Sequence, residues 1–242
     1  PIVIQVKDAN GTTALSAGSN GNVYVAGINN TTMNLNSSVT VTGDVKLMAS
    51  NGVFMNNGKI TADNLIIYGG SGENGNVGTA EKPIETAITG SLDANAEHNV
   101  YIRQTGNNPL TVQAVAAGEN AVLTSQNGMR MTVEEGKTEG YINADFIRLT
   151  TVNGDLGLLD DGIRIKNNGG VVSAVAQNGS VYLNAMESGS LIIDDITAGN
   201  DFVLKSAGTA KFGRLAETVT QESGEVSVPA VESVVTAGGY AT

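Results

Sequence analysis

Short aliphatic strands recur along this chain at a steady interval, and this spacing constrains the fold more than any other feature. Successive strands begin at Val23, Val45 and Leu65, and later ones begin at Val181 and Phe202. Repeats of this length are typical of solenoids, whose turns bury their inward side chains only by stacking. The sequence therefore predicts an all-β fold, a right-handed parallel β-helix (solenoid) of about 20–22 residues per coil, with about eleven coils in 242 residues.

Each strand alternates between apolar and variable residues, as half-buried strands do. In Val23-Tyr24-Val25 the outer residues are expected to face the core, and the middle residue is expected to face outward. The same alternation applies to the other main strands, which are Val45-Lys46-Leu47, Leu65-Ile66-Ile67, Val100-Tyr101-Ile102, Val122-Leu123, Phe146-Ile147-Arg148-Leu149, Ile163-Arg164-Ile165, Val181-Tyr182-Leu183 and Phe202-Val203-Leu204.

The dipeptide Asn-Gly punctuates these strands and predicts sharp turns, because both residues tolerate positive φ. Antiparallel hairpins use the same turn, but they predict strands about 8–12 residues apart without a longer period. The longer period favours corners of a coil and leaves an antiparallel sandwich as the alternative. Asparagines at equivalent corners are expected to stack, each side-chain amide bonding the next. Asn-Gly occurs nine times, beginning at Asn10, Asn20, Asn51, Asn57, Asn74, Asn127, Asn153, Asn168 and Asn178.

The amino-acid composition limits which kind of core and which binding partners are expected. Hydrophobic residues make up 40% of the chain, but aromatic residues only 4%, and Trp is absent, so the core is expected to be thin aliphatic layers. The net charge of -11 predicts no nucleic-acid partner. No run approaches the roughly 18 apolar residues of a membrane span, so we expect no membrane insertion by this chain.

The repeat divides the chain into two predicted parts. Residues 1–214 are expected to form the coils, with a Gly-rich loop or insertion near 69–89. Residues 215–242 lose the period and are expected to form an irregular C-terminal cap or linker segment. The chain begins at Pro1 without Met, so we expect it to be a fragment of a longer protein or a processed product.

Two segments resemble the rungs of filamentous-haemagglutinin-like adhesins, which are bacterial surface proteins exported by two-partner secretion or autotransporter routes. They are Gly43-Asp44-Val45-Lys46-Leu47-Met48-Ala49-Ser50-Asn51-Gly52 and Ala198-Gly199-Asn200-Asp201-Phe202-Val203-Leu204-Lys205-Ser206-Ala207-Gly208. The resemblance covers most of residues 21–215 as a pattern of degenerate rungs. It implies a right-handed parallel β-helix, an extracellular or bacterial cell-surface location, and a role in adhesion or biofilm contact. It supplies no binding residue.

Residues that could carry chemistry are sparse. His98 is the single histidine and there is no Cys, so neither a histidine cluster nor a thiol site is expected. Carboxylate pairs occur at Asp160-Asp161, Asp194-Asp195 and Glu134-Glu135, but adjacent residues of a strand point to opposite faces. Asp161 and Asp194 could meet across neighbouring coils. Residues 69–74 begin like a calcium-binding repeat, then depart from it at Asn74.

We therefore predict no catalytic, cofactor-binding or metal-ligating residues, no cofactor, and no enzyme activity. The predicted function is a structural stalk or shaft segment of a bacterial surface adhesin. The first alternative is a self-assembling extracellular fibre subunit that associates end to end. The second is a polysaccharide-binding or polysaccharide-degrading β-helix. A host-cell or glycan ligand is the expected partner beyond the chain itself.

Overall fold

In a computed structural model the chain folds as an all-β parallel β-solenoid of about 9 turns. This confirms the predicted fold class, while the handedness of the coil stays a prediction. The turns are fewer than the eleven expected because several are longer than the predicted period. The structure describes residues 2–6, 13–14, 17–27, 29–133, 140–167, 169–187, 189–213, 217–221, 224–228 and 234–237.

The described residues form short strands and no helix, so they contain no helix long and apolar enough to cross a membrane. In chain order the strands are β1 (Ile2–Val6), β2 (Thr13–Ala14), β3 (Ala17–Ser19), β4 (Val23–Gly27), β5 (Met33–Leu35), β6 (Val39–Val41), β7 (Val45–Met48), β8 (Val53–Met55), β9 (Ile60–Ala62), β10 (Leu65–Tyr68), β11 (Ile84–Ile88), β12 (Ser91–Ala96), β13 (Asn99–Gln104), β14 (Leu110–Ala117), β15 (Asn120–Ser125), β16 (Met129–Met131), β17 (Ile142–Asn143), β18 (Phe146–Asn153), β19 (Ile163–Ile165), β20 (Val171–Asn178), β21 (Val181–Ala185), β22 (Ser190–Ala198), β23 (Phe202–Ser206), β24 (Thr209–Phe212), β25 (Glu217–Gln221), β26 (Gly224–Val228) and β27 (Val234–Ala237).

Three parallel sheets form the walls of the solenoid. Sheet A has the strand order β1-β4-β7-β10-β12-β14-β17-β19-β21-β23, with β16 beside β14. Sheet B has the order β24-β22-β20-β18-β15-β13-β11-β9-β6-β3, with β27 beside β22. Sheet C has the order β2-β5-β8. Because each strand pairs with strands of the turns before and after it, chain order becomes order along the axis.

The length of one turn follows from the residues that pair across it. Val23 pairs with Val45, Val45 with Leu65 and Val181 with Phe202, so these turns have the length that the sequence predicts. Leu65 pairs with Leu92, which makes that turn longer than the period. The period therefore holds in the regular turns and is broken by residues added between strands.

Inward aliphatic side chains stack in columns and form the core. In β4 and β7 every second residue is buried and the residues between them are half-buried, as predicted. One exception is Arg164, for which the alternation predicts an outward, solvent-facing side chain but which is only 5% exposed. Its guanidinium donates to the carbonyl oxygens of Gly140 and Thr132 and to the carboxylate of Asp161, so neighbouring segments cover it.

A column of buried polar side chains interrupts the aliphatic core across four successive strands of sheet B, which are β11, β13, β15 and β18. Thr86, Gln104, Ser125 and Thr151 are paired in successive turns and are at most 1% exposed. The Thr86 hydroxyl donates to Gln104 Oε1 at 2.7 Å, and Gln104 Nε2 donates to the carbonyl of Ile88 at 2.8 Å. These side chains satisfy backbone groups where the chain leaves the sheet, as buried polar groups require.

Stacked asparagines occupy corners, which confirms the predicted amide ladder. Asn120 Nδ2 donates to Asn99 Oδ1 at 2.6 Å, and Asn99 Nδ2 donates to Asn76 Oδ1 at 2.9 Å. These three residues lie outside the Asn-Gly pairs. Several Asn-Gly pairs make bends in which the glycine has positive φ, as at Gly52, Gly58, Gly128, Gly154 and Gly169, but Gly75 and Gly179 do not. Asn10, Gly11 and Asn168 lie outside the described residues.

Two short loops, which we call wall excursions, leave the solenoid within a wall. In the first, residues 78–83 separate Val77, which opposes Val100, from Ile84, which opposes Ile102. Val100 and Ile102 are successive inward residues of β13, so a single outward residue, Tyr101, lies opposite the whole loop. This excursion falls inside the Gly-rich segment 69–89, and β11 at the end of that segment belongs to sheet B.

The second wall excursion, residues 157–162, repeats this arrangement in sheet A. It separates Leu156, which opposes Val181, from Ile163, which opposes Leu183, and Tyr182 lies opposite the loop. Each excursion begins at a glycine with positive φ, 70° at Gly78 and 79° at Gly157. The repeated arrangement shows that an excursion is a regular element of this solenoid.

Near the C-terminus, β25 and β26 pair antiparallel and β27 pairs parallel with β22. Residues 214–216, 222–223, 229–233 and 238–242 lie outside the described residues. The division of the chain at residue 214 into coils and a cap or linker stays a prediction.

Candidate binding groove on sheet A

The outward face of sheet A carries a shallow groove across β7, β10, β12, β14 and β16. Its side chains are the outward residues that alternate with the core. Lys46 of β7 opposes Ile66 of β10, and Ile66 opposes Asp93 of β12. Along the same strands, Met48 opposes Tyr68. The pleat therefore brings a cation, a carboxylate, a phenol and apolar side chains onto one face.

Tyr68 and Asp93 form the centre of the groove. The Tyr68 hydroxyl donates to Asp93 Oδ2 at 2.9 Å, across the gap between two turns. Burial, followed by the negative charge of Asp93 and by this hydrogen bond, raises the pKa of Tyr68 to about 12. The phenol is therefore neutral at ordinary pH, and its ring is held in one orientation by the carboxylate.

A β-bulge shapes the wall beside this pair. Strand β14 has one residue more than β12 at this point, and the extra residue is Gln113. Bulges bend a strand and re-aim a side chain, and they are common beside functional sites. The Ser91 hydroxyl lies 3.4 Å from Gln113 Oε1 and 3.0 Å from Asn64 Oδ1, so amides and a hydroxyl line one side of the groove.

Two depressions lie side by side along the groove and share Tyr68 and Asp93. The first has a volume of about 650 Å³ and the second about 630 Å³. The first is lined by Gly27, Asn29, Met48, Ala49, Ser50, Tyr68, Gly70, Ser71, Asp93, Asn95 and Glu97. The second is lined by Asp44, Lys46, Asn64, Ile66, Tyr68, Thr89, Gly90, Ser91, Asp93, Thr111, Gln113, Arg130 and Thr132.

The residues singled out in the sequence lie elsewhere. His98 lies at a corner, where its Nδ1 is 3.0 Å from Glu119 Oε1. Asp161 is the second-last residue of the second wall excursion and pairs with Arg164 in sheet A. Asp194 is the extra residue at a bulge of β22 in sheet B. Asp161 and Asp194 thus belong to different walls, and the structure gives no support to a carboxylate pair between them.

The other sequence candidates add no site. Glu134 and Glu135 lie outside the described residues. The segment that resembles a calcium-binding repeat forms a turn in which Gly72 donates to the carbonyl of Ser50. Across the part of the chain that the structure describes, no three His, Cys, Asp or Glu side chains gather closely enough to hold a metal ion.

Comparison with protein-family models, curated proteins and solved structures finds no match. The resemblance to filamentous-haemagglutinin-like adhesins therefore rests on the rung pattern alone. In the structure, both quoted segments contain a strand of sheet A, β7 in one and β23 in the other. The two segments are thus equivalent rungs of one wall.

The sequence contains part of the signal for the groove. The alternation makes Lys46 and Ile66 outward middle residues, which places them on one face. Their alignment with Asp93 depends on the long turn between Leu65 and Leu92, and the aim of Gln113 depends on a bulge. Neither can be read from a period of about 21 residues.

Proposed function

We propose that this chain is a structural stalk or shaft segment of a bacterial surface adhesin. The observation that supports it most directly is the continuous stacking of sheet A, whose parallel pairings run from β1 to β23. Such stacking converts sequence length into distance along one axis, at about 4.8 Å for each turn. A protein that must hold a binding region away from a cell surface needs this property.

The proposal also draws on the rung pattern shared with filamentous-haemagglutinin-like adhesins, and an extracellular location is part of it. The test uses antibodies raised against the folded chain on intact cells of the organism that produces it. Labelling of intact cells, with gold particles at a distance from the outer surface, is the expected result. Labelling that appears only after the cells are permeabilised would contradict the proposal.

End-to-end association is a second candidate, favoured by one feature of the last described turn. Strand β23 is the final strand in the order of sheet A, and Phe212 of the neighbouring β24 is 55% exposed. Strand edges pair readily with another chain. Analytical ultracentrifugation across a wide concentration range tests this candidate. Growth in mass with concentration that Phe212→Ser weakens would support it, and a constant monomer mass would exclude it.

A further inference from the structure

We propose that the groove on sheet A binds an uncharged oligosaccharide chain laid along the solenoid axis. The proposal goes beyond the stalk role, and it holds or fails independently of where the protein is located. It stands on the arrangement of side chains in successive turns, on the bulge at Gln113 and on the balance of charge in the groove.

The groove is elongated and therefore suits a linear ligand. Five successive strands each place at least one outward side chain along it, among them Lys46, Tyr68, Asp93, Gln113 and Arg130. Four steps between strands of about 4.8 Å give a length of about 19 Å. A single monosaccharide fills only part of that length, whereas an oligosaccharide makes contacts in several turns.

The chemistry of the lining suits sugar rings. Ring faces carry C–H groups that pack on apolar surfaces, and the Tyr68 ring and the side chains of Met48 and Ile66 provide such a surface. Sugar hydroxyls both donate and accept hydrogen bonds, as the amide of Gln113 also does. The amide of Asn64 is bonded to Asp44 and Ser91 and fixes the wall of the groove. A site that combines an apolar floor with a few fixed polar groups is typical of small-molecule recognition.

Charge selects an uncharged ligand over an acidic one. The cations Lys46 and Arg130 share the two depressions with the carboxylates of Asp44, Asp93 and Glu97, so the groove has no cationic excess. The whole chain carries a net charge of -11, which repels polyanions. A uronic-acid or sulfated glycan therefore meets repulsion, and a neutral one does not.

An extended peptide fits this face less well. Peptides that add to a sheet use a free strand edge, where backbone groups are unpaired. The strands under the groove are paired on both sides, since β10 lies between β7 and β12, and β12 lies between β10 and β14. Recognition on this face must come from side chains, as it does for sugars.

The test is isothermal titration calorimetry of the full chain with neutral gluco-, galacto-, manno- and N-acetylglucosamine oligosaccharides of increasing length. We expect at least one series to bind, with affinity rising with length until the groove is filled. Tyr68→Ala should weaken that binding about tenfold or more, and Gln113→Ala should weaken it several-fold. Tyr182→Ala changes a half-buried tyrosine of sheet A outside the groove and serves as the matched control, with an expected change below about twofold.

Thermal unfolding of each variant separates loss of binding from loss of fold. If Tyr68→Ala does not fold, Gln113→Ala and amide chemical-shift mapping on the unaltered chain decide the question, with shifts expected in β7, β10, β12 and β14. The proposal is overturned if no neutral series binds, or if shifts map outside the groove. Equal binding by folded Tyr68→Ala and Gln113→Ala would also overturn it. Preference for polygalacturonate, heparin or an extended peptide would replace the proposed ligand class.

Discussion

The two wall excursions share one backbone plan and differ at every position after their first glycine. The first reads Gly-Thr-Ala-Glu-Lys-Pro from residue 78, and the second reads Gly-Leu-Leu-Asp-Asp-Gly from residue 157. The backbone N–H of the second residue donates to the carbonyl of the fifth at 3.0 Å in both loops. The shared plan therefore depends on the glycine and the turn, whereas the remaining side chains differ between the two loops.

Both excursions occur where the cross-section of the solenoid changes. Before the first, β8 and β9 are separate strands with a corner between them, and one turn after it β13 runs through both positions. Before the second, β16 and β17 are separate, and one turn after it β21 runs through both. An excursion therefore lies where two short strands are replaced by one continuous strand.

The excursions differ in how they are anchored. In the second, Asp161 contacts the guanidinium of Arg164, which is 5% exposed. In the first, the residue at the position of Arg164 is Glu85, which pairs with Arg103 at 3.2 Å on the exposed face of the sheet. Exposed pairs stabilise little, whereas removing the partner of a buried charge is costly. We expect the second excursion to depend more strongly on its ion pair.

The largest effect is expected where both excursions return to the core. Ile84 and Ile163 are fully buried, and truncation of either to Ala should lower the free energy of unfolding by about 2–5 kcal/mol. Urea unfolding followed by circular dichroism measures the change. Equal losses would support the equivalence of the two loops. Losses that differ by more than about 3 kcal/mol, the width of that range, would contradict it.

The second-largest effect is expected at the glycine that begins each excursion. A Cβ at Gly157 would lie 2.5 Å from the Tyr182 carbonyl oxygen, and one at Gly78 would lie 2.8 Å from that of Tyr101. Substitution by Ala should lower the unfolding free energy by about 2–4 kcal/mol, from positive φ and from overlap together. Gly169→Ala is the matched control, because its φ is +85° with no atom within 4 Å, and it should lose only about 1–2 kcal/mol. Equal losses at all three glycines would show that overlap is unimportant.

The third-largest effect is expected at the ion pair between Asp161 and Arg164, which distinguishes the second excursion from the first. Asp161→Ala should lower the unfolding free energy by about 1–3 kcal/mol, since Arg164 keeps its carbonyl partners and loses its carboxylate. Asp160→Ala removes an exposed carboxylate from the neighbouring position and should change it by less than about 0.5 kcal/mol. If both variants have the same free energy of unfolding, the buried pair does not anchor the loop.

The smallest effect concerns the tyrosine opposite the first excursion. Burial, and then the negative charges of Glu81 and Glu119, raise the pKa of Tyr101 above 10.0. A raised phenol pKa contributes stability that is present below about pH 10 and is lost as the pH rises through the folded-state pKa. Glu81→Gln should lower this pKa, as measured by ultraviolet absorbance titration. Glu73→Gln, which does not contribute to this shift, is the control, and equal titration of both variants would contradict the assignment.

The sequence is sufficient to predict the regular part of the molecule. Val23, Val45 and Leu65 carry both the period and the alternation, so the parallel stack and its aliphatic core follow from them. Amide stacking at corners is also predictable, because asparagine carries a donor and an acceptor. The prediction for Arg164 is wrong because its environment comes from the distant Thr132 and Gly140. The groove escapes prediction because long turns and a bulge set its register.

The parallel register has a kinetic consequence. Apart from β27, residues that pair in sheets A and B lie one turn apart along the chain, as Ile84 and Ile102 do in a short turn and Leu65 and Leu92 in a long one. Such separations are about one-tenth of the chain, so each pairing closes a loop of only one turn, and the entropy lost on closing it grows only slowly with its length. Each new turn needs only the turn before it as a template, so the chain can acquire its structure progressively from one end to the other.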